Sequence, residues 1–182
     1  GRLPRRPGAR TGRRPRRPRH GDADPPAPAA PAILRPVPVR DDPGRSHWLK
    51  AIGHARGPLP EAWLADERAP TRLARTGFPR RPRIVPGDRL VLYASVWKRV
   101  FGVVEVVGEP TDAVPPGDGA VRSARWPWWV PIEALVVVPH LESAPPVEAI
   151  GVAPRSMSQQ SHIRITEGQY ALAVEAIGAV GS

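Results

Sequence analysis

The chain has 182 residues, no cysteine, 27 Lys plus Arg against 17 Asp plus Glu, and a formal net charge of +10. The lack of cysteine excludes disulfides, Cys-ligated zinc, iron–sulfur clusters and a Cys nucleophile. No run of 18 apolar residues is present to cross a membrane as a helix. The basic N-terminal stretch is not followed by the apolar segment of a secretory signal, so a cytoplasmic protein without membrane contact is expected.

The charge is unevenly spread. Residues 1–40 hold 11 Arg and two Asp, whereas residues 41–182 hold 16 basic and 15 acidic side chains. The basic character therefore belongs to the first 40 residues, and a nucleic-acid role for the rest needs a local patch or a pocket. Only Lys50 and Lys98 are lysines. Abundant Arg, Pro, Ala and Gly is what a GC-rich bacterial genome produces, so arginine counts alone carry little.

Residues 1–44 are Arg/Pro-rich, with Arg5-Arg6-Pro7, Arg13-Arg14-Pro15 and Arg16-Arg17-Pro18. So little apolar surface cannot offset the entropy of ordering, and a disordered tail is expected, followed by one domain over residues 45–180. Ser46 to Ile52 reads as a first strand. Residues 53–83 carry five prolines and read as a long connection with a helical piece around Glu61–Arg68, placing Trp63 and Leu64 on the core. Pro86-Gly87-Asp88 is a turn. A hairpin follows, with strands over Arg89–Ser95 and Arg99–Val107 and a turn at Val96-Trp97-Lys98. Gly102 inside its second strand signals a bulge or a close approach. Trp126 to Val138 reads as a long strand, with Pro127 and Pro131 pointing to an edge or a bulged start. Ser161–Ile165 alternates as a last strand. Thr166 and Gln169 then form a capping box for a helix ending near Ile177, with Tyr170, Ala173, Val174 and Ile177 on its docking face. Strands and helices do not alternate regularly, so a partly closed barrel of the α+β class fits better than a doubly wound sheet.

Signals for catalysis are weak. There is no GxSxG, HExxH or Walker A loop, and His20, His47, His54, His140 and His162 lack metal-ligand spacing. No catalytic residue, metal or cofactor is expected. Six Trp beside two Phe and two Tyr is a skewed choice. Any one of them is explained by core filling, but two or three at a barrel mouth would sandwich a base, with ~1–3 kcal/mol per stacked base. The polar run Arg155 to His162 offers groups for a phosphate or a base edge, or is an ordinary loop. Arg80, Arg81 and Arg83 form a compact patch suited to tracking phosphates.

Taken in order, His47-Trp48-Leu49, Gly87 to Ser95, Phe101 to Pro110, the Trp126–Val138 strand and Ser161 to Thr166 resemble the EVE domain, a PUA-like domain related to YTH domains. The resemblance covers about residues 46–178. It implies a pseudo-barrel of five or six mostly antiparallel strands with short flanking helices and a C-terminal helix. It also implies a pocket for one nucleobase, often a modified one, in DNA or RNA, without catalysis or metal. By position, the ligand-binding candidates are Trp48, Ser95, Val96, Trp97 and Trp126 to Trp129, with Trp128 among them, and the polar Arg155 and Ser161. Many EVE domains carry a Val-Arg-Asn element after a Trp between the first two strands; Trp63 stands there without it. Two other readings remain open: a PUA-like domain gripping structured RNA by shape and phosphates, and an enzyme such as a nuclease on the same scaffold.

Overall fold

The turn at Pro86-Gly87-Asp88 is where the sheet is tied together. Gly87 sits at φ +92°, a conformation other residues adopt only under strain. The next side chain, Asp88, is buried and accepts from Ser46 N (2.9 Å), Trp48 Nε1 (2.9 Å) and Val85 N (3.3 Å). One carboxylate thus fixes the start of the first domain strand against the turn that begins the hairpin.

The computed structural model describes residues 32–33, 44–113 and 124–181. The strands are β1 (Ala32–Ile33), β2 (His47–Ile52), β3 (Arg75–Phe78), β4 (Arg89–Ala94), β5 (Arg99–Val106), β6 (Trp128–Val137) and β7 (His162–Ile165). The helices are α1 (Ala69–Arg72) and α2 (Glu167–Gly178), with short 3-10 turns at Val147–Ile150, Pro154–Met157 and Ala179–Gly181. The sheet runs β1-β6-β5-β4-β2-β7, and β3 pairs with the first half of β6. The result is a curled, mixed half-barrel with a C-terminal helix, an α+β fold in line with the expected pseudo-barrel. All pairs are antiparallel except β2 with β4, which run parallel in the register His47↔Arg89 to Ile52↔Ala94. The long connection between them makes that possible.

The hairpin β4–β5 is the spine of the core. Every residue of β4 is buried. Its register shifts between Leu92 and Tyr93, opposite Gly102 and Val100. A Cβ on Gly102 would lie 3.2 Å from Val137 Cγ1 and 3.4 Å from Leu92 Cδ1, so this glycine serves both the bulge and a close approach. Arg89 is buried and ion-paired to Glu105, 2.6 Å away. Helix α2 is closed by the capping box, with Thr166 Oγ1 accepting from Gln169 N (3.1 Å) and Gln169 Oε1 from Thr166 N (3.0 Å). Tyr170, Ala173 and Ile177 are buried on its docking face, and Tyr170 stacks on His47 with ring centroids 4.2 Å apart.

Three elements differ from the sequence-based expectation. The helical piece falls at Ala69–Arg72 rather than Glu61–Arg68, where the chain makes turns; Leu64 is buried and Trp63 packs on the core as expected. Strand β3 lies inside the segment read as a connection; its four residues include a glycine and precede Pro79, too short and too interrupted to show a period of two. Ala32–Ile33 lies inside the stretch read as a disordered tail, yet its backbone pairs with Val136 and Val137. The rest of residues 1–43, including the Arg/Pro repeats, lies outside the described residues.

Candidate functional site

The sheet is open between β7, which lies beside β2, and β3, which pairs with β6. On one face of β2, Trp48 and Lys50 point the same way, two residues apart. His162 of β7 stands opposite Lys50 in the ladder. Phe78 of β3 meets the His162 ring edge-on at 5.1 Å, and Trp48 lies 5.6 Å from it on another side. These side chains bridge β7 and β3 where no main-chain ladder joins them.

Beside this bridge is a cavity of about 510 Å3, within the ~300–1,000 Å3 of small-molecule sites. Its wall is built from the end of β2 (Lys50 to Gly53), the following connection (His54, Gly57, Leu59 and Trp63), Arg72 of α1, and Arg75, Thr76 and Gly77 of β3. Arg125, Trp126 and Trp129 complete it from the start of β6. A Cβ on Gly77 would sit 3.0 Å from Trp126 Cβ and 3.4 Å from Trp129 Cζ3. A larger residue at this point of β3 would push on both tryptophans.

Lys50 is the most unusual group in the wall. It is 2% exposed, and its Nζ donates to Ala51 O at 2.6 Å. The ammonium lies 4.8 Å from the Phe78 ring centroid and 5.5 Å from that of Trp126, where aromatic faces attract a cation. No carboxylate is among the lining residues. Burial lowers its pKa to about 7, since desolvation disfavours the charged form. His162 is also pushed below its ordinary value, by burial and then by the charge of Lys50.

Two further polar atoms belong to wall residues. Thr76 Oγ1 and Trp129 Nε1 are buried and have no hydrogen-bond partner within the described residues. Such atoms are rare in folded proteins and costly to leave unsatisfied. Around the mouth, the Arg125 guanidinium lies 5.6 Å from the Trp126 ring and that of Arg75 lies 5.5 Å from Trp129. Arg125 also approaches His54 Nε2 at 3.4 Å. Arg72 holds Asp66 through two contacts, at 2.8 and 3.0 Å, and donates to Trp63 O. The site is therefore aromatic and cationic. Among the described residues no group of three His, Cys, Asp or Glu is arranged to hold a metal.

Of the residues singled out from sequence, Trp126 and Trp129 line this cavity. Three others are bonded to residues of its wall, and Trp48 is not among them. Trp97 Nε1 donates to Leu59 O at 2.9 Å. Ser95 Oγ donates to Ile52 O at 3.3 Å and Gly53 O at 3.2 Å. Ser161 O accepts from Ala51 N at 2.9 Å. Trp48 is tied to Asp88. Val96 and Arg155 are exposed and away from the wall. Trp128 lies outside it under the guanidinium of Arg81, 5.4 Å away, while Arg80, Arg81 and Arg83 are exposed on the segment after β3. Sequence reasoning passed over Lys50, Arg72, Arg75, Thr76, Gly77 and Arg125. The one signal for Lys50 was rarity: a lysine in a strand of a chain that otherwise uses arginine.

A half-barrel with a C-terminal helix and an aromatic, cationic cavity at its open side is the class this chain defines. No family model matches the chain, and no curated protein does. Similar solved structures include Rpa0253 from Rhodopseudomonas palustris, at 17% identity and a TM-score of 0.44, covering 74% of this chain and 94% of that one. A hypothetical protein from Leishmania major is similar at 14% identity and a TM-score of 0.43, with 72% and 93% covered. The YTH domain of the Zygosaccharomyces rouxii MRB1 protein, solved with N6-methyladenosine RNA, is similar at 11% identity and a TM-score of 0.36, with 58% and 67% covered.

Proposed function

We propose that this chain is a non-catalytic nucleic-acid-binding module, a PUA-like domain of the EVE type, that takes a single nucleobase of DNA or RNA, modified or plain, into the cavity between β2 and β3. The observation that carries this reading is the composition of one wall, where Trp126 and Trp129 lie against Gly77 beside a buried ammonium, Arg75 and Arg125. Planar indole faces suit a base. Arg75 and Arg125, whose guanidinium groups lie by Trp129 and Trp126, suit the phosphates on either side of a base turned inward.

Intrinsic tryptophan fluorescence tests it. The full chain is titrated with short DNA and RNA oligonucleotides carrying plain, methylated or hydroxymethylated bases. Saturable quenching that is lost in a folded Trp126→Ala variant is expected. Binding that ignores Trp126→Ala and vanishes at high salt contradicts the pocket, leaving a protein that grips nucleic acid by its phosphates.

A further inference from the structure

We infer that the chain carries a second nucleic-acid subsite, Arg81 held over Trp128 on the face of the β3–β6 pair that turns away from the cavity, and that its partner is a single strand passing round the end of β3 from one face to the other; this rests on the base-binding reading above.

The ladder places the subsite. Gly77 pairs with Trp129 and Phe78 with Trp128. Paired residues in an antiparallel ladder share a face, and successive residues alternate between faces. Arg75, Gly77 and Trp129 therefore lie on one face, and all three line the cavity. Phe78 and Trp128 lie on the other, and neither lines it. Each face carries one arginine over an indole. Arg75 lies 5.5 Å from the Trp129 ring and Arg81 5.4 Å from that of Trp128. Phe78 is the last residue of β3, and the exposed Arg80 and Arg81 follow directly after Pro79. The route from one face to the other thus runs past exposed guanidinium groups.

The charge distribution says what takes that route. Residues 69–83 and 124–132, which contain β3 and the start of β6, hold six arginines and no acidic residue. The rest of residues 41–182 hold ten basic and 15 acidic side chains. A domain close to neutral therefore keeps one unit strongly positive, which suits a polyanion. A guanidinium over an indole face keeps its N–H edge for a phosphate while the ring limits its rotamers. A duplex, with a persistence length of about 150 base pairs, does not fold round a pair of strands about 4.8 Å apart. A single strand does.

The test is fluorescence anisotropy of the full chain with a labelled octanucleotide, the dinucleotide cut from it, and the octanucleotide annealed to its complement. Residues 1–43 are common to every variant, so differences between variants report on the domain. The single-stranded octanucleotide should bind at least ~10-fold more tightly than the dinucleotide or the duplex. Arg81→Gln should remove most of the gain over the dinucleotide and leave dinucleotide binding unchanged. It should also lower the salt slope for the octanucleotide by about 0.7, the value of one phosphate contact on a single strand. Trp128→Phe, which keeps a ring beneath Arg81, should retain most of the gain. Duplex bound as tightly as the single strand and still weakened by Trp126→Ala would overturn this inference and leave the base pocket standing. So would an Arg81→Gln chain that binds the octanucleotide with unchanged affinity and salt slope, or a glutamate octapeptide that competes as well as the octanucleotide does. No saturable binding of any of the three nucleic acids would overturn both readings.

Discussion

Two buried cations on the adjacent strands β2 and β4 meet opposite fates. Arg89 is 3% exposed and has Glu105 at 2.6 Å. Its neighbour Asp88 accepts from three donors. Lys50 is 2% exposed and faces two aromatic rings and an open cavity, with no carboxylate in the wall. The first region follows the usual rule that a buried charge is paired. The second departs from it, since Lys50 Nζ has only a main-chain oxygen and two ring faces beside it. Under the proposed function, an ammonium with no carboxylate in the cavity wall is stability given up for a ligand.

The comparison breaks most readily on the closed side. Asp88→Ala would orphan three donors, two of them main-chain, and should lower unfolding free energy by ~3–5 kcal/mol in urea titration. Glu105→Ala leaves Arg89 buried without its partner and should cost ~3 kcal/mol. On the open side the sign reverses. Lys50→Met should raise stability by ~1–3 kcal/mol, because an apolar side chain replaces a desolvated amine, while base binding is lost.

The pH dependence sharpens the same contrast. The pKa of Lys50 in the folded chain, about 7, is below its ordinary 10.5, so above pH 7 the unfolded chain holds a proton that the folded chain has released. Stability should therefore rise with pH by about 1 kcal/mol per unit between roughly pH 7.5 and 9, and Lys50→Met should flatten that slope. His162 titrates below this window, and burial raises Tyr93 and Tyr170 above their ordinary value of 10.0. Gly77→Ala should cost only ~1 kcal/mol of stability, yet the added methyl pushes on Trp126 and Trp129 and should weaken base binding ~10-fold or more. Smallest is Arg81→Ala, which should leave stability unchanged and lower the salt dependence of oligonucleotide binding by about one phosphate contact.

Much of the fold was legible because its signals are local. The Pro-Gly-Asp turn, the β-branched hairpin with Gly102, and the Thr166–Gln169 box each specify their own geometry within a few residues. The site was less legible because it is assembled from segments more than 70 residues apart, from Lys50 to Trp129. Its key strand, β3, is four residues long and depends on β6 for its definition. Tryptophan count singled out a class of side chains but not which of them line the cavity. Trp48 and Trp97 have their indole N–H groups bonded inside the fold, whereas Trp126 and Trp129 face the cavity. That difference is set by partners distant in sequence. Arg80, Arg81 and Arg83 were conspicuous as a run, but the arginines that line the cavity are the isolated Arg72, Arg75 and Arg125.

The central claim, that Trp126 and Trp129 belong to a ligand site, is tested most directly by the indole N–H region of a 1H–15N spectrum. The chain has six tryptophans, and Trp129→Phe and Trp126→Ala variants assign the two resonances of interest. Addition of a short DNA or RNA oligonucleotide should move the Trp129 and Trp126 signals in a saturable way as a base stacks beside them. The Trp48 and Trp97 signals, already held by Asp88 and Leu59, should stay in place and serve as internal references. Saturable binding that moves Trp48 or Trp97 and leaves Trp129 unmoved would contradict the account.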